Sequence, residues 1–130
     1  MIEIAGQTLQ SLLTEARAAH PHECCGLLLG KAETVTAIAP AANVHPTPAT
    51  HFEIDPATLI DAHRAARNGG PAVLGHYHSH PNGRVGPSPT DCAMAAGDGA
   101  VWAIIASGAV TFWHDADNDI RALSYRSVSD

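Results

Sequence analysis

The sequence is poor in aromatic and charged residues, and it contains no long apolar run. Aromatic residues make up 5% of the 130 positions and charged residues 15%, so a core must be built mainly from aliphatic side chains. No run of eighteen apolar residues occurs, and we therefore expect no membrane span and no membrane partner. Seven Lys and Arg residues stand against thirteen Asp and Glu residues, for a net charge of −6. This balance argues against a nucleic-acid partner.

Cysteine is also scarce, and the three residues are not spaced as a disulfide framework. Cys24 and Cys25 are adjacent, and Cys92 lies far from both. The N-terminus lacks the basic start and apolar stretch of a secretory signal. These features predict a reducing, cytoplasmic location. The length suits one domain that spans residues 1–130.

Hydrophobic periodicity predicts alternating helices and strands. Leu9, Leu12, Leu13 and Ala16 form an apolar stripe that predicts a helix over 7–19, ended by Pro21. Asp55-Pro56 predicts the start of a second helix that runs to about 68, and a third helix is expected over 89–96. The remaining apolar runs predict strands at 1–4, 24–30, 34–39, 51–54, 72–80, 100–107, 109–115 and 120–126, with turns at Gly108 and Asn118. We expect an α/β fold: a single layered domain with a mixed, mainly antiparallel sheet flanked by helices.

Three of the nine histidines fall within five residues, at His76, His78 and His80. On a strand, His78 and His80 share a face with their Cα atoms about 6.6 Å apart, which suits two imidazoles on one metal ion. His76 would lie about 13 Å from His80, so a wall or supporting role is favoured for it over ligation. Asp91 is the nearest carboxylate that a loop could return to the pair. Two histidines and one aspartate leave the fourth position of a catalytic zinc open.

Simpler interpretations exist for the same residues. Ser88-Pro89-Thr90-Asp91 also has the pattern of a helix start, with Ser at the N-cap and Asp in the capping-box position. His78 and His80, taken alone, are as typical of surface or core histidines as of ligands. The cap and the site are compatible, because a helix N-terminus favours an anionic oxygen. Cys24 and Cys25 would point to opposite faces of a strand, so packing is favoured over ligation for Cys25.

Several segments together resemble a known family. The stretch from His78 to Asp91 resembles the H-S/T-H-x7-S-x-x-D signature of the JAMM/MPN+ (Mov34/MPN/PAD-1, JAB domain) zinc metallopeptidases, in its short stand-alone bacterial branch. "HPHECCGLLLG" at 20–30 is similar to the family's P-x-E-x-C-G-L-L-x-G segment, which aligns its glutamate with Glu23. "FEIDP" at 52–56 resembles the F-x-I-D-P that opens the family's second helix. The resemblance implies an MPN/JAB fold of the cytidine-deaminase-like type.

The resemblance also implies a function. His78, His80 and Asp91 would bind one zinc ion per chain, with Glu23 as general acid/base and Ser88 donating to the developing oxyanion. His76 and Ser79 would stand behind this set as supporting residues. The implied reaction is hydrolysis of a peptide or isopeptide bond after the C-terminal Gly-Gly of a ubiquitin-like or sulfur-carrier protein. A homodimer is compatible with the edge strands of so small a domain, although no residue pattern specifies one.

Other functions are open at this point. A non-catalytic MPN-type scaffold would lose the ligand set, which is complete here, and a RadC-like member shares the H-x-H pattern but belongs to another context. A metallo-β-lactamase requires a denser H-x-H-x-D-H run, and a zinc deaminase requires H-x-E with P-C-x-x-C. The segment around Glu23 favours the peptidase branch. A contribution of His45 and His51, which flank a proline-rich loop, is left open.

Overall fold

A computed structural model describes residues 1–117 and 119–129. The predicted turn residue Asn118 lies outside the described residues. Three helices and eight strands follow one another in the described chain: β1 (Ile2–Ala5), α1 (Gly6–Ala19), β2 (Cys25–Lys31), β3 (Thr34–Ala41), α2 (Pro56–Arg67), β4 (Ala72–Ser79), α3 (Pro89–Ala93), β5 (Val101–Ala106), β6 (Ala109–Ala116), β7 (Asp119–Leu123) and β8 (Tyr125–Val128).

The strands form one mixed sheet in the order β7-β6-β5-β4-β2-β3-β1-β8. The pairs β2–β3, β2–β4, β5–β6 and β6–β7 are antiparallel. The pairs β1–β3, β1–β8 and β4–β5 are parallel. The sheet places β4, which carries His76 and His78 and is followed directly by His80, between β2 and β5 near its centre.

The sheet is strongly curled. β7 and β8 lie at opposite ends of the strand order, yet only Ser124 separates them in the chain. Because neighbouring Cα atoms are about 3.8 Å apart, the two ends of the sheet must approach each other closely. A hydrogen bond of 2.9 Å from the amide of Ile2 in β1 to the carbonyl of Ser124 holds this junction against β1.

The core lies between α1 and the face of the sheet that carries Tyr77. Leu12 of α1 is fully buried, and it belongs to one apolar cluster with Ile4, Leu28 and Tyr77. Because side chains alternate along a strand, His76 and His78 project from the opposite face of β4. None of the residues of α2 is buried, so this helix lies at the surface and adds no fully buried side chain to the core. The two sides of β4 therefore differ: one is packed core and the other carries imidazoles.

The expected α/β fold with a mixed sheet is confirmed, and three element predictions need correction. Residues 51–54 form no strand but only an isolated bridge between Asn43 and Ile54. The predicted strand 120–126 is two strands, β7 and β8, that pair at opposite ends of the sheet. The third helix ends at Ala93, earlier than expected, because the amides of Ala96 and Gly97 donate to the Asp115 carboxylate instead of to helix carbonyls.

None of the helices in the described part of the chain is long and apolar enough to cross a membrane.

Candidate active site

The site is built where β4 ends, and a close approach of β4 to β5 fixes the position of that end. A Cβ atom at Gly75 would lie 1.7 Å from the carbonyl oxygen of Val101 on β5, so only glycine allows this parallel pairing. In the same register His78 pairs with Ile104 on one side and with Cys25 on the other. The histidine strand is thus held by ladder hydrogen bonds on both edges.

His78, His80 and Asp91 bring three donor atoms to one point. The two Nε2 atoms lie 3.1 Å apart, and Asp91 Oδ2 lies 3.1 Å from His78 Nε2 and 3.0 Å from His80 Nε2. All three residues are buried. Three donors that share a tetrahedral zinc ion at about 2.0–2.1 Å lie about 3.3 Å from one another. The donor set and its spacing therefore fit a zinc ion.

The ring of His80 is oriented from behind by the loop that follows β4. Its Nδ1 lies 2.7 Å from the carbonyl oxygen of Arg84, so Nδ1 carries the hydrogen and donates it. The lone pair of a neutral His80 is then on Nε2, which faces His78 and Asp91. This carbonyl-to-imidazole arrangement is the usual support of a metal-binding histidine.

Asp91 is held by the first turn of α3. The Ser88 hydroxyl oxygen accepts from the amide of Asp91 at 3.0 Å, and Asp91 Oδ2 accepts from the amide of Ser88 at 2.9 Å. This reciprocal pair is the expected capping box, which is confirmed. One carboxylate oxygen thus caps the helix and faces both imidazoles, so the cap and the site are one structure.

The charge states of the group follow from burial and these contacts. Burial acts to raise the pKa of Asp91, but hydrogen bonds with His78 and His80 outweigh it and hold that pKa well below its usual range. Burial lowers the pKa of His78. Burial also acts to lower the pKa of His80, but the contacts with Asp91 and the Arg84 carbonyl raise it overall. Cation binding at such a group releases a proton, because ligands must be deprotonated.

Glu23 is buried beside this group, with a side chain that is 5% exposed. Burial raises its pKa from 4.5 to about 7, while His80 lowers it and Asp91 raises it through their charges. A carboxyl group with a pKa near neutrality can both accept and return a proton at physiological pH.

Ser79 ties the Glu23 segment to the histidine strand. Its buried hydroxyl oxygen accepts from the amide of Cys24 at 2.8 Å, and its own amide donates to the Cys24 carbonyl at 3.1 Å. Cys24 directly follows Glu23 and Ser79 lies between the two histidines. The hydroxyl therefore fixes the backbone next to Glu23 relative to both imidazoles.

His76 lies behind the site, outside the group of three. Its ring centroid is 6.4 Å from that of His78 and 5.3 Å from that of Trp102. Burial lowers its pKa to about 4, so His76 is neutral at physiological pH. Together with Phe52, these rings form an aromatic wall beside the group of His78, His80 and Asp91.

A cavity of about 300 Å³ opens against this wall, and it includes His78 and Asp91 in its lining. His45 and His51, which stack on each other at 4.7 Å, line it as well. Phe52 and Trp102 also line the cavity, and the sequence patterns do not predict either as a site residue. Phe52 stands in the F-x-I-D-P segment, but nothing in its neighbourhood in sequence places it 4.3 Å from the His78 ring.

Comparison with known proteins identifies the family of this chain. Residues 6–121 match the family model described as prokaryotic homologs of the JAB domain. The chain is 34% identical over 130 residues to the desampylase of Haloferax volcanii, an alignment that covers 95% of this chain and 94% of that protein. It is 42% identical over 89 residues to a Thermus thermophilus protein named as a probable TtuB-protein conjugate cleaving protease, covering 68% of this chain and 57% of that one.

A solved structure shows the same fold. The JAB1/MPN domain protein of Archaeoglobus fulgidus superposes with a TM-score of 0.66 at 19% identity, covering 99% of this chain and 98% of that one. The family match includes the positions of Glu23, Ser88 and the three ligand-type residues. With its complete H-S-H-x7-S-x-x-D segment, the chain belongs to the prokaryotic JAB family, the stand-alone prokaryotic form of the JAMM/MPN domain.

Proposed function

We propose that this protein is a zinc-dependent isopeptidase that cleaves conjugates of a ubiquitin-like or sulfur-carrier protein after the carrier's C-terminal Gly-Gly. The observation that carries the proposal is the buried group of His78, His80 and Asp91. Beside it lies Glu23, a carboxyl group whose pKa is raised to about 7. The relatives named as a desampylase and as a conjugate-cleaving protease support hydrolysis of protein conjugates. They favour an enzyme over a non-catalytic scaffold, which would not need the ligand set.

In this mechanism His78, His80 and Asp91 would hold one zinc ion. Zinc bound by such a set supplies a water of lowered pKa, about 7, and polarises the scissile carbonyl. Glu23 takes a proton from the attacking water and later gives it to the departing amine. Burial keeps the pKa of Glu23 at about 7, so this residue can both take up and release the proton at the same pH.

Ser88 would stabilise the developing oxyanion. Its oxygen accepts from the Asp91 amide, which leaves the hydroxyl hydrogen free to donate. In comparable sites, a donor directed at the oxyanion lowers the activation barrier by about 3 kcal/mol. Ser79 and His76 do not touch the reacting atoms in this scheme. Ser79 fixes the Glu23 segment and His76 packs behind His78.

The proposal is tested with a carrier ending in Gly-Gly, joined either to a lysine side chain or to the α-amino group of a single amino acid. We expect the zinc-supplied protein to release the intact carrier from at least one of the two, with the product mass of hydrolysis after the last glycine. Treatment with a chelator should abolish release and added zinc should restore it. Release that is equal with and without the chelator would refute a metal-dependent reaction.

A further inference from the structure

The irregular segment 43–53, between β3 and α2, touches the site from two directions. On one side the ring of Phe52 stacks on His78, with centroids 4.3 Å apart. On the other side the carbonyl oxygen of Pro48 accepts from the amide of Glu23 at 2.8 Å. The segment therefore contacts both a metal-binding residue and the backbone of the proposed general base.

The side chain of Asn43 organises this segment. Its Nδ2 donates to the carbonyl oxygens of Glu23, at 3.0 Å, and His51, at 2.9 Å. Its Oδ1 accepts from the amides of His45 and Glu53, both at 3.1 Å. A primary amide has two donor hydrogens and two acceptor lone pairs. Asn43 uses all four, and one of them holds Glu23.

The backbone of Glu23 has no strand ladder to hold it. Glu23 lies between the end of α1 and the start of β2. Its amide is bonded to Pro48 and its carbonyl to Asn43, so both of its backbone groups are held by segment 43–53. The position of its carboxyl group relative to the histidines therefore depends on segment 43–53 together with the contacts between Ser79 and Cys24.

We infer that Asn43 is a positioning residue for Glu23, an assignment that rests on the proposed function. It acts through the Glu23 carbonyl and through closure of segment 43–53, and it does not belong to the metal-binding group. An aspartate of nearly the same size keeps the two acceptor positions but has no hydrogen to donate. Its carboxylate would face the carbonyl oxygens of Glu23 and His51 and repel both.

The test compares Asn43→Asp with Asn68→Asp, which makes the same amide-to-acid change at an exposed position at the end of α2. In Asn43→Asp we expect kcat on a carrier conjugate to fall on the order of 10- to 100-fold, because small displacements of a catalytic group are costly. One zinc should still bind, since His78, His80 and Asp91 are unchanged. The fall in kcat should exceed any rise in KM, because Glu23 acts in the chemical step whereas His45, His51 and Phe52 of the segment only line the cavity. Asn68→Asp should behave as the wild type.

Hydrogen exchange of the Glu23 amide gives a readout that does not depend on activity. Loss of the Asn43 donors should open segment 43–53 and speed this exchange roughly tenfold or more, while core amides of β5 exchange as before. If Asn43→Asp does not fold, Asn43→Ser, which is smaller and neutral, is measured in the same way.

An unchanged kcat together with unchanged exchange would overturn the inference, as would a loss of kcat that follows a loss of bound zinc or appears only as a higher KM. A wild-type protein that cleaves no conjugate would instead refute the proposed function, and the exchange experiment would still decide whether Asn43 holds Glu23.

Discussion

Glu23 shows how a single residue can be unfavourable for folding and useful for chemistry. Its burial removes the carboxyl group from water and raises the pKa to about 7. A group with this proton affinity is suited to move a proton at neutral pH. The same burial disfavours the ionised form, so the folded chain is less stable at any pH at which Glu23 is charged.

This cost has a definite pH dependence in the metal-free protein. Between pH 4.5, the ordinary value for the group, and about 7, the folded state holds a proton that the unfolded state has released. The stability that this group contributes therefore falls as pH rises through that window. We expect Glu23→Gln to be more stable than the wild type at pH 8, by about 1–3 kcal/mol, and about equal to it at pH 4.

Urea unfolding of both proteins at the two pH values measures the difference, with the exposed Glu33→Gln as the control that should change little. A Glu23→Gln variant that is less stable than the wild type at pH 8 would contradict the account of Glu23 as a desolvated acid.

Residues of the site differ in how far the sequence could predict them. His78, His80, Ser88 and Asp91 stand within fourteen positions, and their spacing on a strand, a loop and a helix start predicts convergence. Asn43 could not be found in this way, because most of its partners are backbone groups, and the one that matters for the site is twenty residues distant. The side chains of segment 43–53 show no sequence pattern from which those contacts could be predicted.

At the scale of elements, α3 carries a structural and a chemical role on the same side chain. Ser88 caps the helix through its oxygen and is proposed to donate its hydrogen to the oxyanion. Alanine at an N-cap typically costs 0.5–2 kcal/mol of stability, about 1 on average, whereas glycine costs only a few tenths. The two substitutions remove the same hydroxyl, so they separate the roles.

We expect Ser88→Ala and Ser88→Gly to lower kcat by a similar factor, on the order of 100- to 1000-fold. Their unfolding free energies should differ, with the alanine variant lower by about 1 kcal/mol. Steady-state kinetics and urea unfolding of the pair check both statements. If activity instead follows stability, with Ser88→Gly close to the wild type, Ser88 acts only as a cap.

Elements with a local signature were predicted correctly, and those defined by distant partners were not. The stripe of α1 and the apolar runs of β2 and β4 carry their periodicity within the element. β8 was merged with β7 because the residues on either side of Ser124 have similar composition. Its separate identity comes only from pairing with β1, where Arg126 lies beside Glu3 more than a hundred residues away in sequence.

At the scale of the whole molecule, the curled sheet assembles the site from distant parts of the chain. The end of β4 and the residue after it bring His78 and His80, α3 brings Asp91, and the segment before β2 brings Glu23. Because this set exists only in the folded state, a metal ion bound there stabilises the fold by mass action.

Zinc at a free concentration of 100 times its dissociation constant should add about 2.7 kcal/mol to the unfolding free energy. We expect the thermal midpoint of the wild type to rise on the order of 10 °C under these conditions. Asp91→Ala, which removes one ligand, should show little of this rise. His63→Ala, which removes an exposed histidine outside the group, should keep it in full. An equal rise in all three proteins would place the zinc elsewhere.

The central claim is that Glu23 moves the proton in a hydrolysis carried out at the His78, His80 and Asp91 centre. The most direct measurement is single-turnover cleavage of a carrier–lysine conjugate by the wild type and by Glu23→Gln, each loaded with one equivalent of zinc. We predict equal zinc content in both proteins and a rate for the variant lower by about 100- to 10,000-fold, the usual contribution of a general base. Equal rates at equal zinc content would contradict the account.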